Sequence, residues 1–265
     1  MNHIKTFDLG RVVLLIKKEL FYQRRAPWII IAAVFLFLLG IQLLMASEDP
    51  GINDLPSNQV FFYILCLVTL GTIFTSAAFN ELNNKSSAHH YLSIPASHLE
   101  KLISKWLVTG IIYAIAFNIF YFAFSVLANI LTDYFFGISA GLFNPFEKSV
   151  EMDGFKPIFM TQLYLSLHTV YLAGAVYFRK FAYFKTIIAQ TVISMIALSF
   201  MVGISSLLFM DFWGTSLPGT RVQSNSLLIK SAGHLGYVIG KIMLWGVFPL
   251  WMLSYSYFRL KETEV

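Results

Sequence analysis

Charge is what this sequence has little of. Lys, Arg, Asp and Glu make up 12% of its 265 residues, about half the share of an ordinary soluble domain. Apolar residues make up 57%, with a mean hydropathy of +0.67. One core cannot hide that much apolar surface, so the composition implies an integral membrane protein. Cysteine is nearly absent. Cys66 stands alone inside an apolar run, which excludes a disulfide framework and a cysteine-built metal site. The middles of the apolar runs carry no Asp or Glu. Ion- and proton-driven carriers usually need such groups, so any transport draws its energy from another subunit. The chain also has no nucleotide motif. "GYVIGK", residues 236–241, has one residue too few between its glycines and Ile242 where Ser or Thr belongs.

Two further patterns look like chemistry and are weak. "GISAG", Gly137 to Gly141, fits G-x-S-x-G and offers Ser139, with His168 or His234 as a base. It lacks the strand–turn–helix context of a nucleophile elbow and reads as a turn. His89, His90 and His98 lack a metal-ligand spacing and read as titrating surface residues. No catalytic or metal site is expected. The net charge of +5 sits beside apolar runs and reads as topology charge, not as a nucleic-acid footprint.

What is present is a set of six apolar runs, each near the 20 residues that cross a bilayer. They lie at Pro27–Ala46, Val60–Phe79, Trp106–Leu131, Phe159–Phe178, Ile187–Met210 and Leu235–Phe258. The expected fold class is therefore an all-α membrane protein with six transmembrane helices, residues 1–265 forming a single domain. Asp8 and Glu19 make the N-terminus unlike a cleaved leader, so the first run reads as an uncleaved anchor. With both termini inside, 14 of the 19 Lys and Arg fall on the inner side and 5 on the outer. The positive-inside rule gives N-in, C-in.

Residues 8–25 read as an amphipathic interfacial helix. Leu9, Val12, Val13, Ile16 and Leu20 share one face, and Arg11, Lys18 and Arg25 lie opposite. Residues 211–234 read as an outer loop that can dip back into the membrane under protein cover. Within the runs, uncharged polar residues form stripes at helical spacing. Thr69, Thr72, Ser76 and Asn80 make one, and Asn118, Tyr121, Ser125 and Asn129 another. Thr161, Tyr164, His168 and Tyr171 make a third. Such stripes either glue helices together or line a path for an amphipathic substrate. Thr69, Thr72, Ser76, Asn118, Tyr121, Ser125, His168 and Tyr171 are the candidate path residues.

"SIPASHLEKLISKW", Ser93 to Trp106, is built like a soluble helix between two apolar runs. Ser97 and Glu100 form a capping box that starts a helix leading into the third run. The whole loop at 80–105 is the largest inner feature, suited to take force from a soluble partner.

Leu92–Trp106 resembles the pattern L-x-I/L-P-A-S-x-L-E-K-x-x-S-K/R-W of a bacterial branch of the type-2, exporter-type permease subunits of ATP-binding-cassette (ABC) transporters. "YFRKFAYFKT", Tyr177 to Thr186, is similar to that branch's link between the fourth and fifth spans. The resemblance implies a multi-pass protein of the bacterial cytoplasmic (inner) membrane, paired with a second permease, identical or homologous. It implies two cytoplasmic ATPase subunits that bind ATP and Mg, with no cofactor in this chain. It implies a coupling helix after the second span, with Glu81, His89, His90, Tyr91, Leu92 and Pro95 as candidate ATPase contacts. Membrane lipids complete the expected partners. The other reading is a non-transport anchor subunit of a secretion, motility or sensing complex.

Overall fold

The computed structural model describes residues 7–22, 26–48, 55–137, 157–178, 180–208 and 242–262. Among them every regular element is helical. The outer loop at 211–234, Ser139, His234 and "GYVIGK" lie outside the described residues.

The helices in chain order are α1 (Leu9–Tyr22), α2 (Ala26–Glu48), α3 (Leu55–Ser76), α4 (Lys85–Leu92), α5 (His98–Trp106), α6 (Tyr113–Phe136), α7 (Pro157–Tyr177), α8 (Ala182–Leu208) and α9 (Phe248–Glu262). A 3-10 turn, Asn80–Asn83, precedes α4. π-helical turns, Leu107–Ile112 and Met243–Val247, precede α6 and α9.

Three helical stretches are long and apolar enough to cross a membrane: Gln59–Ser76, His98–Phe136 and Ala182–Ile204. Shorter apolar helical runs occupy Ala32–Ser47 and Leu163–Tyr177. The protein is thus helical and membrane-embedded. The stretch His98–Phe136 is continuous over 39 residues, or about 58 Å at 1.5 Å per residue. That exceeds a bilayer with its headgroups, about 40–45 Å. One end must project, and the charged end at Glu100, Lys101 and Lys105 is the one whose side chains favour it.

The bundle is held along two seams. In the first, α2, α3, α6 and α7 meet around Leu38, Tyr63, Leu67, Phe117, Tyr121, Phe124 and Tyr164. Aromatic rings dominate it, and Tyr63 packs edge-on to Tyr121 at 5.2 Å. In the second, Phe79, Leu82, Tyr91, Leu102, Leu172, Val176 and Leu260 join the chain around α4 to α5, α7 and α9. Glycine permits the closest approaches. A Cβ at Gly71 would run into the rings of Tyr164 and Tyr113, and one at Gly174 would overlap Thr186 of α8. Gly137 closes α6 at φ 67°, in the left-handed conformation that glycine adopts freely. Phe181, between α7 and α8, has φ 54° without being glycine.

α1 lies against α5. Val12, Leu15 and Glu19 are buried, while Leu9, Val13 and Leu20 are exposed. The physical reason is that Arg11 and Glu19 both find acidic or basic partners on α5, and those pairs choose the face.

Gly71→Ala should destabilise the bundle by about 1–3 kcal/mol through overpacking against Tyr164. Gly40→Ala, where a Cβ meets nothing within 4 Å, should be neutral or stabilising by up to about 1 kcal/mol. Thermal unfolding of both variants in one detergent checks the contrast.

Candidate functional site

The polar residues of this apolar chain concentrate where α1, α4 and α5 meet. α5 begins with the expected capping box. The Ser97 hydroxyl accepts from the Glu100 N–H at 3.2 Å, and the Glu100 carboxylate accepts from the Ser97 N–H at 2.7 Å. Glu100 does more than cap. It also accepts from the Asp8 N–H at 2.7 Å and pairs with Arg11 at 2.9 Å, so the start of α1 is tied to the start of α5. Glu100 is fully buried. Burial alone would raise its carboxyl, but the N–H donors of Ser97 and Asp8 and the charge of Arg11 outweigh that and hold it below its usual range.

Next to Glu100 on α5, and one turn beyond that, stand Lys101 and Lys105, both buried. Lys101 donates to the Leu92 carbonyl at 3.1 Å. That carbonyl is at the C-terminal end of α4, where the helix dipole favours a cation. Its ammonium also lies 5.4 Å from the Tyr91 ring centre. Lys105 pairs with Glu19 of α1 at 2.7 Å and with Glu81 of the 3-10 turn at 3.3 Å. The Tyr91 and Phe79 rings lie 5.5 and 5.9 Å from it. Two lysines thus fasten α1, the 3-10 turn and α4 to the projecting end of the long helix.

The expected partner-facing residues divide accordingly. His89 and His90 are exposed, as are Lys85 and Ser86 on the same helix and Pro95 beyond it. Leu92 is half-buried. Tyr91 is 3% exposed and packs on Phe79, so its ring anchors α4. Glu81 serves the Lys105 pair. Sequence reasoning counted Arg11, Lys101 and Lys105 as topology charge and used Glu19 only as a mark against a cleaved leader. Only the i, i+4 spacing of Lys101 and Lys105, on the face opposite exposed Leu99, hinted at a shared role.

The candidate path residues take the following places. Tyr121 donates to the Gln59 carbonyl at 2.6 Å. Tyr63 donates to the side-chain amide oxygen Oδ1 of Asn118 at 2.9 Å. Thr72 bonds back to Val68 and Ser125 to Phe122 within their own helices, Thr69 likewise to Leu65. Ser76 is buried, and Tyr171 stacks on Tyr183 of α8. Tyr121 and Tyr63 thus join α6 to α3, while the threonine and serine hydroxyls bond within their own helices, because a hydroxyl or amide in an apolar medium takes the nearest partner.

His168 sits deepest, fully buried, beside the π turn. Its Nε2 lies 2.7 Å from the Thr109 hydroxyl, which itself donates to the Lys105 carbonyl at 2.8 Å. The hydroxyl proton is thereby used, so Nε2 carries the hydrogen and donates to Thr109. Tyr164 donates to the Thr109 carbonyl at 2.8 Å. Gly110 makes room, since a Cβ there would meet the imidazole at 2.9 Å. The π turn therefore joins the lysine-bearing end of the long helix to α7. Among the described residues no group of His, Cys, Asp and Glu could hold a metal ion.

Lys105→Met strands Glu19 and Glu81 and should cost about 3–5 kcal/mol. The triple variant that adds Glu19→Gln and Glu81→Gln should recover much of that in thermal unfolding. The Glu100 carboxyl is depressed in the fold, so its stabilising share is present above the ordinary carboxylate pKa of about 4.3. It is lost as pH falls through the lower folded value. Amide exchange at α1 should accelerate in that acidic window and not between pH 5 and 8, and Glu100→Gln should abolish the acid step.

No protein family, curated protein or solved structure matches this chain.

Proposed function

We propose that this chain is the membrane-spanning permease subunit of an ABC transporter, moving an amphipathic or hydrophobic substrate outward. In this reading it makes six spans with both termini in the cytoplasm of a bacterium and sits in the inner membrane. It pairs with a second permease, and two cytoplasmic ATPase subunits bind the ATP and Mg. The chain is not an enzyme by itself. The sequence support is the resemblance at Leu92–Trp106 and Tyr177–Thr186.

The observation that carries the reading is the mounting of α4. Its Lys85, Ser86, His89 and His90 face outward, while Lys101 and Lys105 bind its C-terminal end and its approach to the long helix. A push on α4 is therefore delivered to α5, through the π turn to α6, and through Thr109–His168 to α7. A loop meant only to connect two spans needs no such base. With the polar stripes packed inside one chain, the substrate route in this reading runs where two permeases face each other.

Mass spectrometry of the gently solubilised complex should find two permease chains with two ATPase subunits. A complex with no ATPase would sink the proposal. A cysteine at Ser86 should be shielded from outside reagent in intact cells, while cysteines at Asp54 and Asp153 should label. Labelling at Ser86 would invert the topology. His90→Asp should weaken ATPase docking while leaving thermal stability within about 0.5 kcal/mol, as befits an exposed position. Tyr91→Ala should instead lower stability by about 3 kcal/mol or more.

A further inference from the structure

At the end of the bundle away from α4, a narrow cleft opens between α2, α3 and α6. Gln42 and Gln59 line it together with Leu38, Phe62, Phe124 and Tyr121. Both glutamines are more than nine-tenths buried, at 7% and 4% exposure. The amide Nε2 of each is buried with no hydrogen-bond partner. Buried donors of this kind are nearly always satisfied, and each one left bare is costly. The nearby Tyr121 hydroxyl donates to the Gln59 backbone carbonyl, not to either side-chain amide. The cleft thus presents amide donors inside apolar walls, which calls for a ligand with acceptor oxygens and an apolar body.

Depth narrows the class. Gln42 is six residues before the end of α2 at Glu48, and Gln59 is four residues after the start of α3 at Leu55. At 1.5 Å per residue they lie about 9 and 6 Å inside those helix ends. The layer between the surface of a bilayer and its hydrocarbon core is about 5–8 Å thick. The donors therefore stand at the level of the glycerol ester groups of the lipids. The space within the cleft is close to that of one water molecule, enough for a carbonyl oxygen but not for an acyl chain. Met45 completes the apolar lining beside Leu38, Phe62 and Phe124.

We propose that this cleft is a binding site for the ester carbonyl of a membrane glycerolipid, with Gln42 and Gln59 as the donors. The headgroup is not read by the site. The proposal does not rest on the transporter reading, since it needs only that the helix ends reach the membrane surface.

The test compares two lipids that differ only in the acceptor. Full-length protein in mild detergent is given an equal mixture of diester and diether phosphatidylglycerol of matched chains, and native mass spectrometry counts the lipid retained. The ether linkage keeps the shape and removes the carbonyl. Wild type should retain the diester over the diether by about threefold to tenfold, the range a hydrogen bond or two makes in an apolar medium. Gln42→Met and Gln59→Met should each bring the ratio toward one. The ratio is read within a single sample, so loss of folded protein does not mimic the effect. Equal retention by wild type overturns the proposal and leaves a trapped water as the partner of the amides. So does a diester preference that survives in both variants.

Discussion

The ammonium of Lys105 is the interaction on which the rest of the structure turns. It sits within a mostly apolar chain, 3% exposed, and a cation there is tolerable only if it is paired and hydrogen-bonded. The pairing partners come from three places: Glu19 on α1, Glu81 on the 3-10 turn, and the faces of the Phe79 and Tyr91 rings. Because the cation is a poor guest without them, the three elements cannot leave it separately. That cooperativity turns a surface helix, a turn and a short helix into one block at the projecting end of His98–Phe136. Lys101 adds the end of α4, and Glu100 with Arg11 adds the start of α1.

The apolar body of the protein works by the opposite logic. With lipid outside and side chains inside equally greasy, burial of apolar surface drives helix association weakly, and close packing and hydrogen bonds take over. Glycines at 71, 110 and 174 let helices or rings approach. Tyrosines and threonines bond across the gaps, as Tyr63, Tyr121 and Tyr164 do. The π turn belongs to this economy of space. It widens the helix at Thr109 and Gly110, and the imidazole of His168 fills the place. π turns inside long helices recur where a helix must do more than span. This one stands between the charged block and the aromatic seam. α8 contrasts with both, since every residue from 191 to 204 is exposed and meets whatever surrounds the chain.

Much of this was determined by the sequence alone. The membrane class follows from scarce charge and long apolar runs, because both are sums over local composition. The α5 start follows from Ser97 and Glu100, because a capping box is closed by residues three apart. The helical stripes follow for the same reason. Only the tertiary structure decided what those residues touch. Glu19 and Lys105 are 86 positions apart, and nothing local announces that one will neutralise the other. The same ignorance of distance hid the burial of Tyr91 against Phe79 and the bonds of Tyr63 and Tyr121 between α3 and α6. Periodicity tells which residues share a face, but not which neighbour that face will meet. A buried polar group takes the partner the fold brings within 3 Å, and that choice is made by the packing of helices far apart in the chain.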